Sequence, residues 1–451
     1  MAGIQSRRRL IAAGIACVLS AGLAACSGES TSAGGDGVVT ITVNGMPPKT
    51  QPVDRKYFEE DVKAFEKDHP KIRIDAREGQ MDPKTFSAKL AGGQLEDVYY
   101  VYFTDPAALI QRRQGADISE YVKDMPYYKD LKPEFLKVFT GPDGKIYGLP
   151  NGQYSLGLVY NRDLFKKSGL DPDNPPATWD EVRAAAKKIS ALGNGTVGYA
   201  DYSKNNQGGW HYTAWVYSMG GDIALRQDGK WKAAFDSDAG HRALQMLHDM
   251  RWTDNTMGSR QLLQIEDAQK MMGAGKLGMY MAGPDNIPTI VKQFERRYEE
   301  YGAAAMPGRA TLGGGNGFMF NPKNSPEKIK AGIEWIQWKY LNPDRTAFED
   351  KRASSSDVPI GLPLDRLFTG QAETRTDAAH AKYANVPTKN YEPFIKRNGK
   401  IGQKVEPPNA QQIYTVLDGV MQAVLTKKDA DIDQLLKDAA KKVDSILATV
   451  K

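Results

Sequence analysis

The sequence predicts an α/β fold divided into two domains, on three observations. Strand and helix patterns alternate with short links from Val38 to Phe103, which implies a parallel sheet built from right-handed crossovers. A second unit of the same kind begins after Pro150. The chain has 451 residues, too many for one ordinary core.

The elements follow in order. Val39, Ile41 and Val43 alternate with threonines and predict a strand ending at Asn44-Gly45. Tyr57, Phe58, Val62 and Phe65 fall at helical spacing, and His69-Pro70 stops that helix. Ile72, Ile74 and Ala76 alternate again, residues 85–90 suit a short helix, and residues 97–103 form a dense aromatic and β-branched strand. Ligands of such sheets sit beyond the carboxyl ends of the strands, here Asn44-Gly45, Glu78-Gly79-Gln80 and Phe103-Thr104-Asp105. In the second unit Leu156, Leu158 and Tyr160 alternate as a strand. Thr178-Trp179-Asp180-Glu181 is a capping box opening a helix toward Leu192. Residues 197–200, 277–281 and 317–320 read as strands, and Ser325-Pro326 starts a helix through Tyr340. A final helical pair covers about 410–425 and 432–450.

The amino terminus carries its own pattern. Arg7, Arg8 and Arg9 precede an apolar run from Leu10, and small residues follow it, which describes a secretory signal. The run is shorter than the roughly 20 apolar residues of a spanning helix. Leu23-Ala24-Ala25-Cys26 resembles a bacterial lipoprotein lipobox. That resemblance implies cleavage after residue 25, acylation of Cys26 and a lipid-anchored protein on the extracellular side of the cell membrane. Ser6-Arg7-Arg8-Arg9-Leu10-Ile11 is also similar to a twin-arginine export signal, although three arginines can serve as plain charge. Residues 27–37 are low-complexity and predict a flexible tether. Cys17 lies in the signal, so Cys26 is the only mature cysteine, which excludes disulfides, thiolate metal sites and cysteine nucleophiles.

Charge and motifs exclude further classes. Removing the signal lowers the net charge from +5 to +2, and no basic run interleaves with aromatics, so nucleic acid is not an expected partner. Gly273-Ala274-Gly275-Lys276-Leu277-Gly278 fits G-x-G-x-x-G but follows a helical stretch and precedes a strand, the reverse of a dinucleotide site. Asp429, Asp431 and Asp433 mimic a calcium loop, yet Gln434 stands at its glycine position, so they are read as acids at a helix start. The five histidines include no metalloprotease pair. Ser155 sits out of register for a nucleophile elbow. No catalytic residue, metal or cofactor is expected, and the protein reads as a non-enzyme.

A family resemblance joins these parts. Tyr147-Gly148-Leu149-Pro150, residues 158–165 (Leu-Val-Tyr-Asn-Arg-Asp-Leu-Phe), Gly169-Leu170-Asp171-Pro172 and Thr178-Trp179-Asp180-Glu181 resemble the central signature of extracellular solute-binding proteins. They look like family 1, the sugar-binding components of ABC importers that include maltose-binding protein. Residues 272–279 leading to Gly283-Pro284, then Met306-Pro307-Gly308, Gly313-Gly314-Gly315 and residues 331–336 follow in the expected order. The resemblance implies a two-lobed periplasmic-binding-protein-like fold of type II, with strands crossing between lobes and ligand in the cleft. Lobe 1 would comprise residues 38–150 plus 311–345, and lobe 2 residues 151–310 plus 346–451 with the C-terminal helices. It further implies a monomer that hands a sugar or oligosaccharide to an ABC permease.

Sugars need flat aromatic surfaces for their C–H faces and carboxylates, amides or arginines for their hydroxyls. Trp210 and Trp215 follow a strand and suit stacking, or else pack in the lobe core. Asp285 and Asn286 follow Gly283-Pro284, where the family usually has an aromatic; a plain turn is the alternative. Glu78, Gln80 and Asp105 stand at strand ends, Tyr154 at the hinge and Tyr202 after a strand, and Asn316 in the glycine-rich return crossing. Arg352 and Ser354-Ser355-Ser356 are weaker candidates. A secreted carbohydrate-active hydrolase is the alternative function, for which Glu78 and Asp105 would be the carboxylates.

Overall fold

The structure, a computed structural model, describes residues 37–79, 81, 85–363 and 366–450. The leader, Cys26, the tether to Asp36 and Gln80 lie outside the described residues. Twelve strands are described: β1 (Val39–Met46), β2 (Ile72–Glu78), β3 (Val98–Tyr102), β4 (Gly148–Ser155), β5 (Gly157–Asn161), β6 (Val197–Ala200), β7 (Ala224–Gln227), β8 (Lys230–Ala233), β9 (Leu277–Ala282), β10 (Tyr301–Ala305), β11 (Ala310–Phe320) and β12 (Gly402–Lys404). They form a larger sheet in the order β12-β11-β3-β1-β2 with β4 also on β11, a second sheet β10-β5-β9-β6, and the hairpin β7-β8.

Each sheet supports one lobe with its own core. In the first, Phe58, Phe65 and Trp335 are buried and meet edge to face, with ring centroids 5.7 Å apart for Phe58 and 5.2 Å for Phe65. In the second, Trp179 stacks on Trp215 at 3.5 Å, surrounded by Leu158, Val182 and Leu417. The helix Trp179–Ser190 starts where the sequence predicts, with both arms of the Thr178–Glu181 capping box formed, and turns Val182, Ala186 and Ile189 inward. Helix Pro326–Tyr340 opens on Ser325, whose hydroxyl accepts from the Lys328 amide. Asp431 caps helix Ile432–Leu447 through the Gln434 amide, which is the bland reading of that acidic run. The stretch after Tyr202 becomes helix Gln207–Ser218, buried nearly all round, after Asn205 and Asn206 turn the chain in left-handed conformations.

The parallel sheet expected from the first third is only half of what forms. β1 pairs in parallel with β2 and β3, but β11 runs antiparallel to β3 and β4. The reason is that β11 returns from the other lobe. Leu156, just after β4, and Leu312 on β11 are buried in the second core, while Leu149 and Phe318 of the same pair of strands are buried in the first. The two strands thus cross between lobes side by side.

Residues 346–383 differ from the expected division. The guanidinium of Arg352 donates to both oxygens of Asp61, and Arg345 donates to Asp61 Oδ1. Phe368 and Ala372 join the first core, and the Thr369 amide donates to the Asp130 carbonyl at 2.7 Å. Burial of the Asp61 carboxylate requires those cations, so the helices Thr346–Ser354 and Gly370–Tyr383 stay with the first lobe. Leu362 touches the apolar cluster around β9 and β10 of the second lobe, and Val386, Tyr391 and Phe394 are buried in it. Among the described residues no helix is long and apolar enough to cross a membrane.

Candidate functional site

The crossing strands form the floor of a cleft between the lobes. Gly314 lies opposite Tyr154, and a β-carbon at Gly314 would run into the Tyr154 ring. A β-carbon at Gly315 would meet the Phe103 ring and the Gly152 carbonyl. The glycine run therefore lets neighbouring rings lie across the hinge. One step along, Asn316 pairs with Gly152 and Tyr102, and the Asn151 amide donates to Asn316 Oδ1 at 3.1 Å. Alternation along the strands puts Tyr154, Gly314, Asn316 and Tyr102 on one face, and Tyr102 is 49 % exposed. Trp210 from helix Gln207–Ser218 comes over this face edge-on to Tyr154, centroids 6.3 Å apart.

Three carboxylates border the same space. Asp105 begins helix Pro106–Gln111 and accepts from the Tyr102 amide at 2.9 Å; burial raises its carboxyl. Asp285 follows β9 and folds back over Gly283, where a β-carbon would collide with Oδ1. Its outer face touches water while protein walls surround it, and that confinement raises its carboxyl too. Glu406 lies between β12 and helix Ala410–Thr426 and accepts from the Tyr414 hydroxyl at 2.9 Å. Burial pushes it up to about 7, and the charge of Asp105 adds to that rise. The phenol of Tyr154 is raised by burial and then by the charges of Glu406 and Asp285. Asp105 belongs to the first lobe, Asp285 and Glu406 to the second, and Tyr154 to the strand between.

The structure thus gathers Tyr154, Trp210, Asp105, Asp285 and Asn316, and separates other candidates. Trp215 is fully buried against Trp179 and donates to Asp201 Oδ2 at 2.6 Å, so it is a core residue. Asn286 is buried and accepts from the Gln269 amide at 2.9 Å, which occupies it structurally. Tyr202 is fully buried and stacked on His211 at 4.0 Å, behind the cleft wall. Glu78 accepts from Arg55 at 2.8 Å on the first lobe. Arg352 is consumed by Asp61. Sequence reasoning missed Glu406, Tyr102 and Asn151. Glu406 precedes Pro407-Pro408 with no periodic neighbour to mark it; Tyr102 stands one residue before Phe103-Thr104-Asp105, the strand end that the sequence marks for ligand.

Known proteins share this architecture. The family described as bacterial extracellular solute-binding protein matches residues 49–342. A putative binding protein of Brucella abortus (strain 2308) is 29% identical over 441 residues, covering 95% of this chain and 97% of the relative. The solved cyclic alpha-maltosyl-1,6-maltose binding protein of Arthrobacter globiformis superposes with a TM-score of 0.70 at 23% identity, over 91% of this chain and 100% of that one. UgpB of Mycobacterium tuberculosis, solved with glycerophosphocholine, gives a TM-score of 0.71 at 16% identity, over 91% and 99%.

Proposed function

This chain belongs to the bacterial extracellular solute-binding protein family, and on that premise we propose that it captures a sugar or oligosaccharide by hinge closure and delivers it to an ABC permease. The observation that carries this reading is the composition of the cleft. Aromatic surface from Tyr154, Trp210 and Tyr102 adjoins the Asn151–Asn316 amide pair and the carboxylates of Asp105, Asp285 and Glu406. Flat apolar surface beside several hydrogen-bonding groups is what a pyranose ring presents in complement. Groups from both lobes and from the crossing strand contribute, so closing the hinge brings them onto one ligand.

No catalysis is part of this reading. Glu78, one of the two acids of the hydrolase alternative, is held by Arg55 instead. The lipid anchor at Cys26 and the export leader belong to the same proposal and rest on the sequence pattern. An anchored monomer keeps its cargo near a permease in the membrane, and dual acylation holds such an anchor stably.

Titration of the purified protein with a panel of sugars, followed by tryptophan fluorescence and by analysis of products, tests it. Saturable binding with unchanged sugar is expected. Turnover of the sugar, or silence across the whole panel, would sink the receptor reading. For the anchor, Cys26→Ser is expected to release the protein from membranes into the soluble fraction; retention after that change would remove the lipid proposal.

A further inference from the structure

Helix Gln207–Ser218, which presents Trp210 to the cleft, is capped by a residue that is not its own. Asn206 stands at its N-cap in a left-handed conformation, and its side chain caps nothing there. The amides of Asn206 and Gly209 donate instead to Asp418, at 2.7 Å to Oδ2 and 2.8 Å to Oδ1. Those are the two donors that a capping box satisfies. Here one carboxylate takes both, and it comes from helix Ala410–Thr426, with Asp418 lying 212 residues beyond Asn206.

Asp418 is buried and, among the described residues, meets no lysine or arginine. Burying a carboxylate on amides alone is unfavourable, and a serine or asparagine side chain at the N-cap would satisfy the same helix with less desolvation. What the carboxylate adds is placement. Charge-assisted bonds to two amides hold the helix start at one distance from helix Ala410–Thr426. The contact is close on the glycine side as well. A β-carbon at Gly209 would strike the Tyr414 backbone, and one at Gly208 would strike Ser203 and Asp418 Oδ1.

Gln411, Thr415 and Gln422 share the face of Asp418 at helical spacing. The Asn206 side-chain amide donates to the Gln411 carbonyl, the Thr415 hydroxyl donates to Asn206 Oδ1, and Gln422 donates to the Ser203 carbonyl at 2.7 Å. Trp210 follows Gly209 directly, and its amide donates to the Asn206 carbonyl at 3.0 Å. Its ring reaches Tyr154 from a helix otherwise enclosed in the second core. An error of about 1 Å in the groups that support a site is enough to loosen it.

We propose that Asp418 is a positioning residue for the solute site, fixing Trp210 against Tyr154 from outside the cleft. This rests on the receptor reading and deepens it, because affinity then depends on a side chain that touches no solute.

Fluorine NMR of the protein labelled with 5-fluorotryptophan gives the first test, without sugar, and Trp210→Phe identifies the Trp210 line. In Asp418→Asn the new amide turns an N–H toward one of the two donors, and the Trp210 line is expected to shift or split. An unmoved line would overturn the proposal. Titration with maltotriose gives the second test. Asp418→Asn and Trp210→Ala are each expected to weaken binding about tenfold, and the double variant no more than about twofold beyond Trp210→Ala. Losses that multiply would mean that Asp418 acts on something other than Trp210, which overturns it. Val443→Ala, in the same core but on helix Ile432–Leu447, is expected to lower the melting midpoint with affinity kept. An equal loss of affinity there would reduce Asp418 to a general stabiliser and overturn it too. Should Asp418→Asn not fold, Asp418→Glu, which keeps the charge and moves it by one methylene, is read in the same way. A parent that does not bind maltotriose would count against the receptor reading, and the fluorine line would still decide whether Asp418 places Trp210.

Discussion

Trp210 and Trp215 lie on one helix, Gln207–Ser218, and do different work. Trp215 fills the second core with its indole nitrogen satisfied by Asp201, whereas Trp210 is only partly buried and meets Tyr154 at the cleft. Trp215→Ala is expected to cost about 3–5 kcal/mol of stability, read as a lowered melting midpoint, with solute affinity of the folded fraction unchanged. Trp210→Ala should do the reverse, lowering solute affinity about tenfold or more while costing little stability. Glu406 carries a pH signature. Its carboxyl is raised by burial to about 7 in the folded chain, against about 4.3 for an exposed glutamate. The native state therefore binds the proton more tightly than the unfolded one. Its contribution is fully present below about pH 4 and is lost as pH rises through about 7. With some water contact allowed for, the loss is on the order of 2 kcal/mol. Thermal melts at pH 5 and pH 8 should show this slope in the parent and a flatter one in Glu406→Gln. An identical slope in the variant would place the origin elsewhere.

At the scale of elements, β11 is the part on which the others depend. It carries the second core at Leu312, the cleft at Gly314 and Asn316, and the first core at Phe318. Gly314→Ala puts a methyl group where the Tyr154 ring lies. About 1–3 kcal/mol of strain is expected, together with weakened solute binding, because the ring that lines the cleft must move. A variant that binds as tightly as the parent would show that Tyr154 is not at the ligand. The segment 346–383 is attached to the first lobe by a different device. Burial pushes the Asp61 carboxyl up, but the bonds from Arg352 and Lys339 outweigh it and hold it below the ordinary value. Asp61→Ala leaves three cations around an empty position, so a loss of about 3–5 kcal/mol is expected. Limited proteolysis should then cut first within residues 346–363; an unchanged digest would mean that the apolar contacts of Phe368 and Ala372 suffice.

For the whole molecule, the two lobes are joined by the neighbouring strands β4 and β11 and by the chain between Ala372 and Val386, and the proposed function takes these crossings as its hinge. A saturating solute is expected to shrink the radius of gyration measured by X-ray scattering, as the lobes close over Tyr154 and Trp210; an unchanged profile on binding would argue for a rigid cleft. How far all this was legible differs by residue. The helix opened by Thr178 and Glu181, the cap at Asp431 and the strands of β1, β2 and β3 follow from local patterns, because capping and periodicity act within a few residues. The ordered family motifs placed Tyr154 and Asn316 on crossing strands for the same reason: they are local signatures. What no local pattern contains is which groups meet. Two tryptophans of one helix look equivalent until packing buries one of them, and Glu406 has no neighbour in sequence that marks it. Asp105 and Glu406 are separated by most of the chain, and only the closure of both lobes onto β4 and β11 sets their charges in one space. The sequence by itself determined the α/β class, the element starts and the family. The tertiary structure decided the reversed direction of β11, the attachment of residues 346–383 to the first lobe and the meeting of Tyr154 with Trp210, since each depends on long-range burial and pairing.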